Sequence, residues 1–281
     1  MESDLKNRLE QLHSNIAEAA PLIHCITNPI SINDCANILL AIGARPIMAE
    51  HPSEVAEITA TSKALALNLG NITDARLESM LIAGRKAKEM GIPVVIDLVG
   101  TACSSMRLGY ARSFIDEIRP EVIKGNVSEL RAVCNLETVQ NGIDASEAEL
   151  VNKENKAVYS GVFGGYAKAH GVTILASGPI DLITDGNTSY FVANGTPALS
   201  RVTGTGCMLN VLTGAALSAI KSIEQASPSD ACLLACLVLE ISGEKAEPVL
   251  RNKGAGSYHT ALLDEVSLIS AEELIDKAIL L

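Results

Sequence analysis

In the stretch VTGTGCMLN, residues 202–210, a cysteine directly follows a Gly-Thr-Gly turn and heads an apolar run. A glycine-rich turn that opens a helix presents unpaired backbone N–H groups and the positive end of the helix dipole. Gly204, Thr205 and Gly206 are therefore a candidate anion site. The alternative is a flexible helix start with a buried cysteine, because a lone G-x-G carries little specificity. Leu209 stands where a dinucleotide fingerprint needs its third glycine, and the chain contains no G-K-[ST] P-loop. At a helix N-terminus the Cys207 thiol is expected to titrate below its ordinary value of about 8.5, as suits a nucleophile or a base. A nucleophile needs a partner histidine, and none of the five stands at a recognisable spacing from Cys207.

A second constellation is KGNVSE, with Lys124, Asn126 and Glu129. Asn at the N-cap and Glu three residues later make a capping box, and that alone accounts for the spacing. Both groups nevertheless leave a strand end where a carboxylate can act on Mg2+ through water and a lysine can meet phosphate oxygens. Asp97, closing VVID, has the same double reading of loop cap or ligand. Two carboxylates and an anion-binding helix start on one edge are the elements of magnesium–nucleotide chemistry.

These residues share an edge only if the chain builds a parallel sheet. Strand-like runs PLIHCIT, RPIMA, ALALNLG, PVVIDLV, EVIKGN and VTILASG alternate with helical segments long enough for crossovers, among them one after RPIMA capped by Ser53. IDLIT and SYFVAN flank the turn sequence DGN, which predicts an antiparallel hairpin near residues 181–193. From Gly204 the chain reads as helical to its end, and Asn135 to Lys153 is the most loop-like segment. The prediction is an α/β protein, a mostly parallel central sheet covered on both faces, as one domain over 1–281. Ligands of such sheets collect beyond the carboxyl ends of the strands. That rule selects Thr27 and Asn28, Met48 and Ala49, Asn68 and Gly70, Asp97, Lys124 to Glu129, and Ser177.

With 48% hydrophobic and 20% charged residues the composition is globular. A net charge of −11, 3% aromatics and no tryptophan exclude a nucleic-acid partner. At the N-terminus Leu5, Leu9, Leu12 and Ile16 form one helical stripe amid charges, without the pattern of a signal peptide, and ACLLACLVLEIS is too short to span a bilayer. The expectation is a cytosolic protein without membrane contact. Seven scattered cysteines with no C-x-x-C pair fit reduced thiols, and Cys232 and Cys236 lack further ligands for a metal.

Taken in order, HCITNPISINDCANILLAIGARPIMAE, LALNLGNI, VVIDLVGTACSSMR, IKGNVSEL, IDLITDG, TGTGCMLN and GSYHTALLDEVS resemble the hydroxyethylthiazole kinases of the ribokinase-like superfamily along nearly the whole chain. Most specific is the cysteine, since the superfamily generally ends its G-x-G-D motif in aspartate and the thiazole kinases carry cysteine there. The resemblance implies a three-layer αβα sandwich. It also implies transfer of the γ-phosphoryl of ATP, with Mg2+, to the hydroxyl of 5-(2-hydroxyethyl)-4-methylthiazole in thiamine salvage, by a homotrimer with sites between subunits. By the same resemblance Gly204 to Gly206 form the anion hole, with Gly204 also lining the thiazole site, and Cys207 orients or deprotonates the hydroxyl. Met48, Asn28 and Gly70 touch the thiazole, Asp97 and Glu129 serve Mg2+, and Lys124, Ser177 and Asn126 attend ATP.

The chain departs from the family pattern at several points. Lys124 replaces Arg and Ser177 replaces Thr, keeping charge and hydroxyl but losing bidentate phosphate recognition. In the phosphate-facing loop Leu98 replaces Pro, Ala102 replaces Gly and Ser104 replaces Thr, and Pro29 and Ser31 depart from the usual residues after Asn28. Alternatives to the thiazole kinase are a kinase of a hydroxymethylpyrimidine or pyridoxal, a thiol enzyme acting through Cys207, and a catalytically silent binder.

Overall fold

The computed structural model describes residues 1–135 and 150–281; residues 136–149, most of the segment read as loop-like, lie outside the described residues. In chain order the elements are α1 (Ser3–Ala19), β1 (Leu22–Ile26), α2 (Ile32–Ala41), β2 (Arg45–Ile47), α3 (Val55–Thr61), β3 (Ala64–Asn68), α4 (Asp74–Met90), β4 (Val94–Asp97), α5 (Ser105–Ile118), β5 (Val122–Asn126) and α6 (Val127–Val133). After the undescribed residues come α7 (Lys156–His170), β6 (Thr173–Ser177), β7 (Asp181–Thr184), β8 (Ser189–Val192), α8 (Thr205–Ala219), α9 (Pro228–Ala246), α10 (Ala255–Leu268) and α11 (Ala271–Lys277).

The strands make one sheet in the order β2-β1-β3-β4-β5-β6-β7-β8. β1 to β6 pair in parallel, and β7 and β8 close the edge as the expected antiparallel hairpin. Strand alternation divides the core into two layers. Ile23, Ala64, Ala66, Val95, Val122 and Leu175 pack under α1, α2, α8, α9 and α10, while Leu65, Leu67, Val94, Ile96, Ile123 and Ile174 pack under α4 to α7. Small residues on the first face let α8 come close: a Cβ at Gly214 would lie 3.3 Å from that of Ala66. α8 and α9 are buried nearly all round, which explains their near-continuous apolar runs. Among the described residues no helix is long and apolar enough to cross a membrane.

Three local expectations change. Ser53 does not cap α3: Glu54 occupies that position, and the Ser53 N–H donates to His51 Nδ1 at 3.2 Å. The chain after Gly204 is not helical to its end, because Leu280 bridges antiparallel to Val192 at the sheet edge. The β2 strand stops at Ile47, one residue before Met48, because only three residues pair with β1.

α9 carries an acid into the core. Glu240 is 7% exposed and Asp181, at the start of β7, is 2% exposed. Among the described residues no N–H or O–H reaches Glu240 Oε2 or Asp181 Oδ2. Burial, followed by the nearby Asp181, pushes the Glu240 carboxyl well above the usual carboxylate range, so Glu240 holds its proton beyond the pH at which an exposed carboxyl loses it. A carboxyl raised in this way stabilises the fold fully below its unfolded pKa, and that contribution is lost as pH rises toward the folded value. Glu240→Gln supplies a permanent donor, so wild type should lose stability relative to this variant as pH rises above about 5. Denaturant titrations at pH 5 and pH 8 measure this, and an unchanged difference between wild type and variant would contradict a raised Glu240 carboxyl.

Candidate active site

The site begins with strand register. Asn68 pairs with Asp97 and Asp97 with Lys124 on adjacent parallel strands, so the three side chains leave the same face of the sheet, beneath α8. Asp97 Oδ2 accepts from Lys124 Nζ at 2.9 Å and from Asn68 Nδ2 at 3.0 Å. Both ends of this ion pair are buried, with side-chain exposures of 5% and 1%. Burial raises the Asp97 carboxyl to about 6 against the pull of Lys124, leaving it mostly ionised at neutral pH. Burial alone would lower the Lys124 ammonium, but Asp97 more than offsets that and leaves it raised and charged.

The same groups hold the glycine turn. Lys124 Nζ donates to Gly206 O at 2.9 Å, and Asn68 Nδ2 reaches Cys207 Sγ at 3.4 Å. Asn210 Nδ2 donates to Leu67 O at 2.9 Å, fastening α8 to β3. Gly204 is the N-cap at φ +88°, and a Cβ there would lie 3.0 Å from that of Ser31, so both backbone conformation and space require glycine. Thr205 faces away from the ion pair, its hydroxyl donating to Leu199 O at 3.4 Å.

Asp97, Val99, Lys124, Asn126, Glu129, Ser177, Gly204, Gly206 and Cys207 line one cavity of about 250 Å³. The capping box at Asn126 and Glu129 is present in both directions, at 2.9 Å each. Glu129 does more than cap: Oε1 accepts from Gly100 N at 2.8 Å, tying the loop after β4 to the start of α6. Leu98, where the family has proline, uses its N–H to bond Lys124 O at 2.8 Å, a bond proline cannot make. Ser104 caps α5 through Arg107 N at 3.3 Å, as threonine would, and Ala102 is exposed. Ser177 Oγ contacts Gly125 O at 3.4 Å at the cavity mouth.

The strand ends on the β2-β1-β3 side form a separate group. A Cβ on Gly70 would meet Asn28 Nδ2 at 2.6 Å and Asn68 Oδ1 at 2.8 Å, so the loops after β1 and β3 touch only because residue 70 has no side chain. Asn28 Oδ1 accepts from Ile30 N at 3.0 Å, and Met48 is half-buried against the α8 layer. Asn28, Met48 and Gly70 do not line the 250 Å³ cavity; Ser31, against Gly204, connects the two groups. The strand-end rule selected Asn68 without a role, since a bridging amide has no pattern of its own in sequence. Buried Ser31 gave no signal beyond its departure from the family.

The expected lowering of the Cys207 pKa is corrected. Burial raises it first and the Asp97 charge next, whereas Ser31, Lys124 and Asn68 only partly pull it back. At 8% exposure desolvation of the thiolate outweighs the helix terminus, and Cys207 is a thiol at neutral pH. The exposed Cys103 should therefore alkylate first with iodoacetamide at pH 7. Modification of Cys207 should accelerate about tenfold per pH unit into the alkaline range. Peptide mass spectrometry reads both, and a Cys207 rate as fast as that of Cys103 at pH 7 would contradict a thiol.

The comparisons with known proteins agree with this geometry. The model of the hydroxyethylthiazole kinase family matches residues 13–272. "Hydroxyethylthiazole kinase 2" of Clostridium botulinum strain 657 is 44% identical over 267 residues, covering 95% of this chain and 97% of that protein. "Hydroxyethylthiazole kinase" of Ruminiclostridium cellulolyticum is 38% identical, covering 98% of each. The solved hydroxyethylthiazole kinase of Pyrococcus horikoshii superposes with a TM-score of 0.84 at 29% identity, covering 98% of each chain. A ribokinase-like superfamily protein of Enterococcus faecalis shares the fold at a TM-score of 0.60 and 14% identity, over 95% of each. The chain belongs to the hydroxyethylthiazole kinase family.

Proposed function

We propose that the protein transfers the γ-phosphoryl group of ATP to the primary hydroxyl of 5-(2-hydroxyethyl)-4-methylthiazole, supplying the phosphate used in thiamine salvage. The observation that carries this reading is Cys207, in the first turn of α8, held by Asn68 over the buried Asp97–Lys124 pair. Phosphoryl transfer has a loose transition state, so positioning and charge stabilisation dominate and the hydroxyl proton leaves late. A neutral thiol fits that demand as a relay: it orients the hydroxyl and takes its proton only as its own S–H proton passes to an oxygen of the transferred phosphoryl group, so the sulfur stays uncharged. The unpaired N–H groups of Thr205, Gly206 and Cys207 would receive the charge on the transferred group.

The donor set fits Mg2+. Asp97 Oδ1 is buried with no hydrogen-bond partner among the described residues, and each Glu129 oxygen accepts one backbone N–H and keeps a lone pair. Mg2+ keeps most of its waters and needs only one or two carboxylates beside phosphate oxygens, so Asp97 and Glu129 would hold it with Asn126 in support. When bound, the ion would neutralise phosphate charge. Lys124 and Ser177 would face the polyphosphate, and a neighbouring cavity of about 450 Å³, from Gly178–Pro179 to Asn194–Ser200, would take the nucleoside.

Asn28, Met48, Gly70 and Gly204 are assigned to the thiazole. Gly204 lines the phosphoryl cavity, whereas Asn28, Met48 and Gly70 lie outside it; that separation, with Ile30 62% exposed beside Asn28, supports an acceptor site completed by a second copy in a homotrimer. One sheet across the described residues supports a single kinase domain, and seven unpaired thiols fit a reducing cytosol.

Incubation with Mg-ATP and the thiazole alcohol, followed by mass spectrometry beside hydroxymethylpyrimidine and pyridoxal, should give thiazole phosphate as the dominant product. Phosphate on a control alone would move the substrate assignment. Cys207→Ala and Cys207→Ser should each lower kcat roughly 10²- to 10⁴-fold, the range of general acid–base groups, with little change in the KM for ATP. Cys207→Asp should retain or increase turnover. Unaltered kcat in the Ala and Ser variants would remove Cys207 from the mechanism.

A further inference from the structure

Arg76 stands at the third position of α4, where an arginine reads in sequence as part of a solvated helix face. It is instead 4% exposed, beneath the strand ends on the β2-β1-β3 side. Its guanidinium engages three loops at once. Nε and Nη2 each lie 2.8 Å from Glu50 Oε2 in the loop after β2. Nη2 also donates to Thr27 O after β1, and Nη1 donates to Asn71 O at 3.1 Å after β3. Asn71 is a non-glycine residue at φ +51°, a sparsely populated conformation that turns its carbonyl into Arg76's reach.

Each gripped residue is within two positions of an acceptor candidate: Thr27 precedes Asn28, Glu50 follows Met48 by two, and Asn71 follows Gly70. Two neighbours strengthen the hold on the middle loop. Ser79 Oγ donates to Glu50 O at 2.8 Å, and the buried His24 ring lies 2.9 Å from Ala49 O through Nε2. Burial lowers the His24 pKa, which keeps the ring neutral with one N–H to donate. An apolar side chain at 76 would fill the same volume without desolvating a charge, but only a planar fork with five donors can fix carbonyls of two loops and a carboxylate of a third.

We propose that Arg76 is a positioning residue for the alcohol acceptor: it sets the mutual placement of Asn28, Met48 and Gly70 without touching the substrate. The inference rests on the assignment of those three residues to the acceptor, and its consequences are confined to that half of the site. The hydrogen-bond partners of the Arg76 guanidinium, Thr27, Glu50 and Asn71, are not among the residues that line the phosphoryl cavity.

The test compares Arg76→Met, Arg76→Lys and Glu50→Ala with wild type, under Mg-ATP and the thiazole alcohol. Arg76→Met should raise the KM for the alcohol roughly 10- to 100-fold while the KM for ATP stays within about twofold. Arg76→Lys, which keeps the charge but not the fork, should recover part of that loss, and Glu50→Ala, which removes one exposed arm, should cost only about threefold. Hydrogen exchange without any substrate supplies a readout besides activity. In Arg76→Met, peptides covering 27–31, 48–51 and 69–73 should exchange faster together, while the peptide covering 204–212 keeps its wild-type rate. An unchanged alcohol KM in the folded variants, or a parallel rise in the KM for ATP, would overturn the proposal, and so would loop exchange at wild-type rates. If wild type does not phosphorylate the thiazole alcohol, the substrate assignment fails, and the exchange comparison still decides the clamp.

Discussion

The end of the site that we assign to phosphoryl transfer is organised around the buried ion pair between Asp97 and Lys124. It sits on two adjacent strands in register, so the backbone sets its separation. An ion pair this deep gives little net stability, since desolvating two charges offsets most of their attraction, yet removing one partner alone typically costs about 3–5 kcal/mol. What the pair supplies is geometry. Lys124 reaches up to Gly206 O and Asn68 reaches across to Cys207, so the turn that opens α8 is fixed to the strand ends by charged and amide side chains. The arginine expected at 124 from the family would carry a wider fork; lysine makes a compact contact to one carboxylate oxygen and one carbonyl.

The glycine turn and the cysteine have a common physical explanation. Gly204 must be glycine because its backbone is left-handed and Ser31 lies against it, and this packing brings the first turn of α8 down onto the sheet edge. The same closeness buries Cys207. Its thiol stays protonated because water has been excluded, and that exclusion also strengthens the backbone N–H groups around a developing negative charge. Activation by a lowered pKa is therefore not the principle of this site. A proton held until late in the transfer, in a dry and prearranged pocket, is.

Much of this was legible in the sequence. The αβ alternation, the DGN hairpin and the Leu5–Ile16 stripe follow from periodicity and turn chemistry, and the structure has each of them. The rule that ligands gather at strand ends also placed Asp97, Lys124, Asn126, Glu129 and Ser177 on one edge, where one cavity collects them with Cys207. What stayed hidden depends on distances between strands. Nothing local distinguishes Asn68 from any polar strand end, or Arg76 from a solvated helical arginine, since the partners that bury and fix them lie 26 to 139 residues away. The Cys207 pKa was misread for the same reason: a helix start is visible in sequence, but the depth at which it is buried is not. Ser53 failed as a cap because the neighbouring His51 ring accepts its N–H and shifts the helix start by a residue.

The central claim is that the Asp97–Lys124 pair acts as one unit in positioning phosphoryl transfer. A double-mutant cycle on the single-turnover rate, with Asp97→Asn, Lys124→Met and the double variant, tests it directly. The account predicts strong coupling, about 1–3 kcal/mol, with the double variant close to the worse single one. Effects that add to within about 0.5 kcal/mol would show that the two residues act separately and would contradict the account.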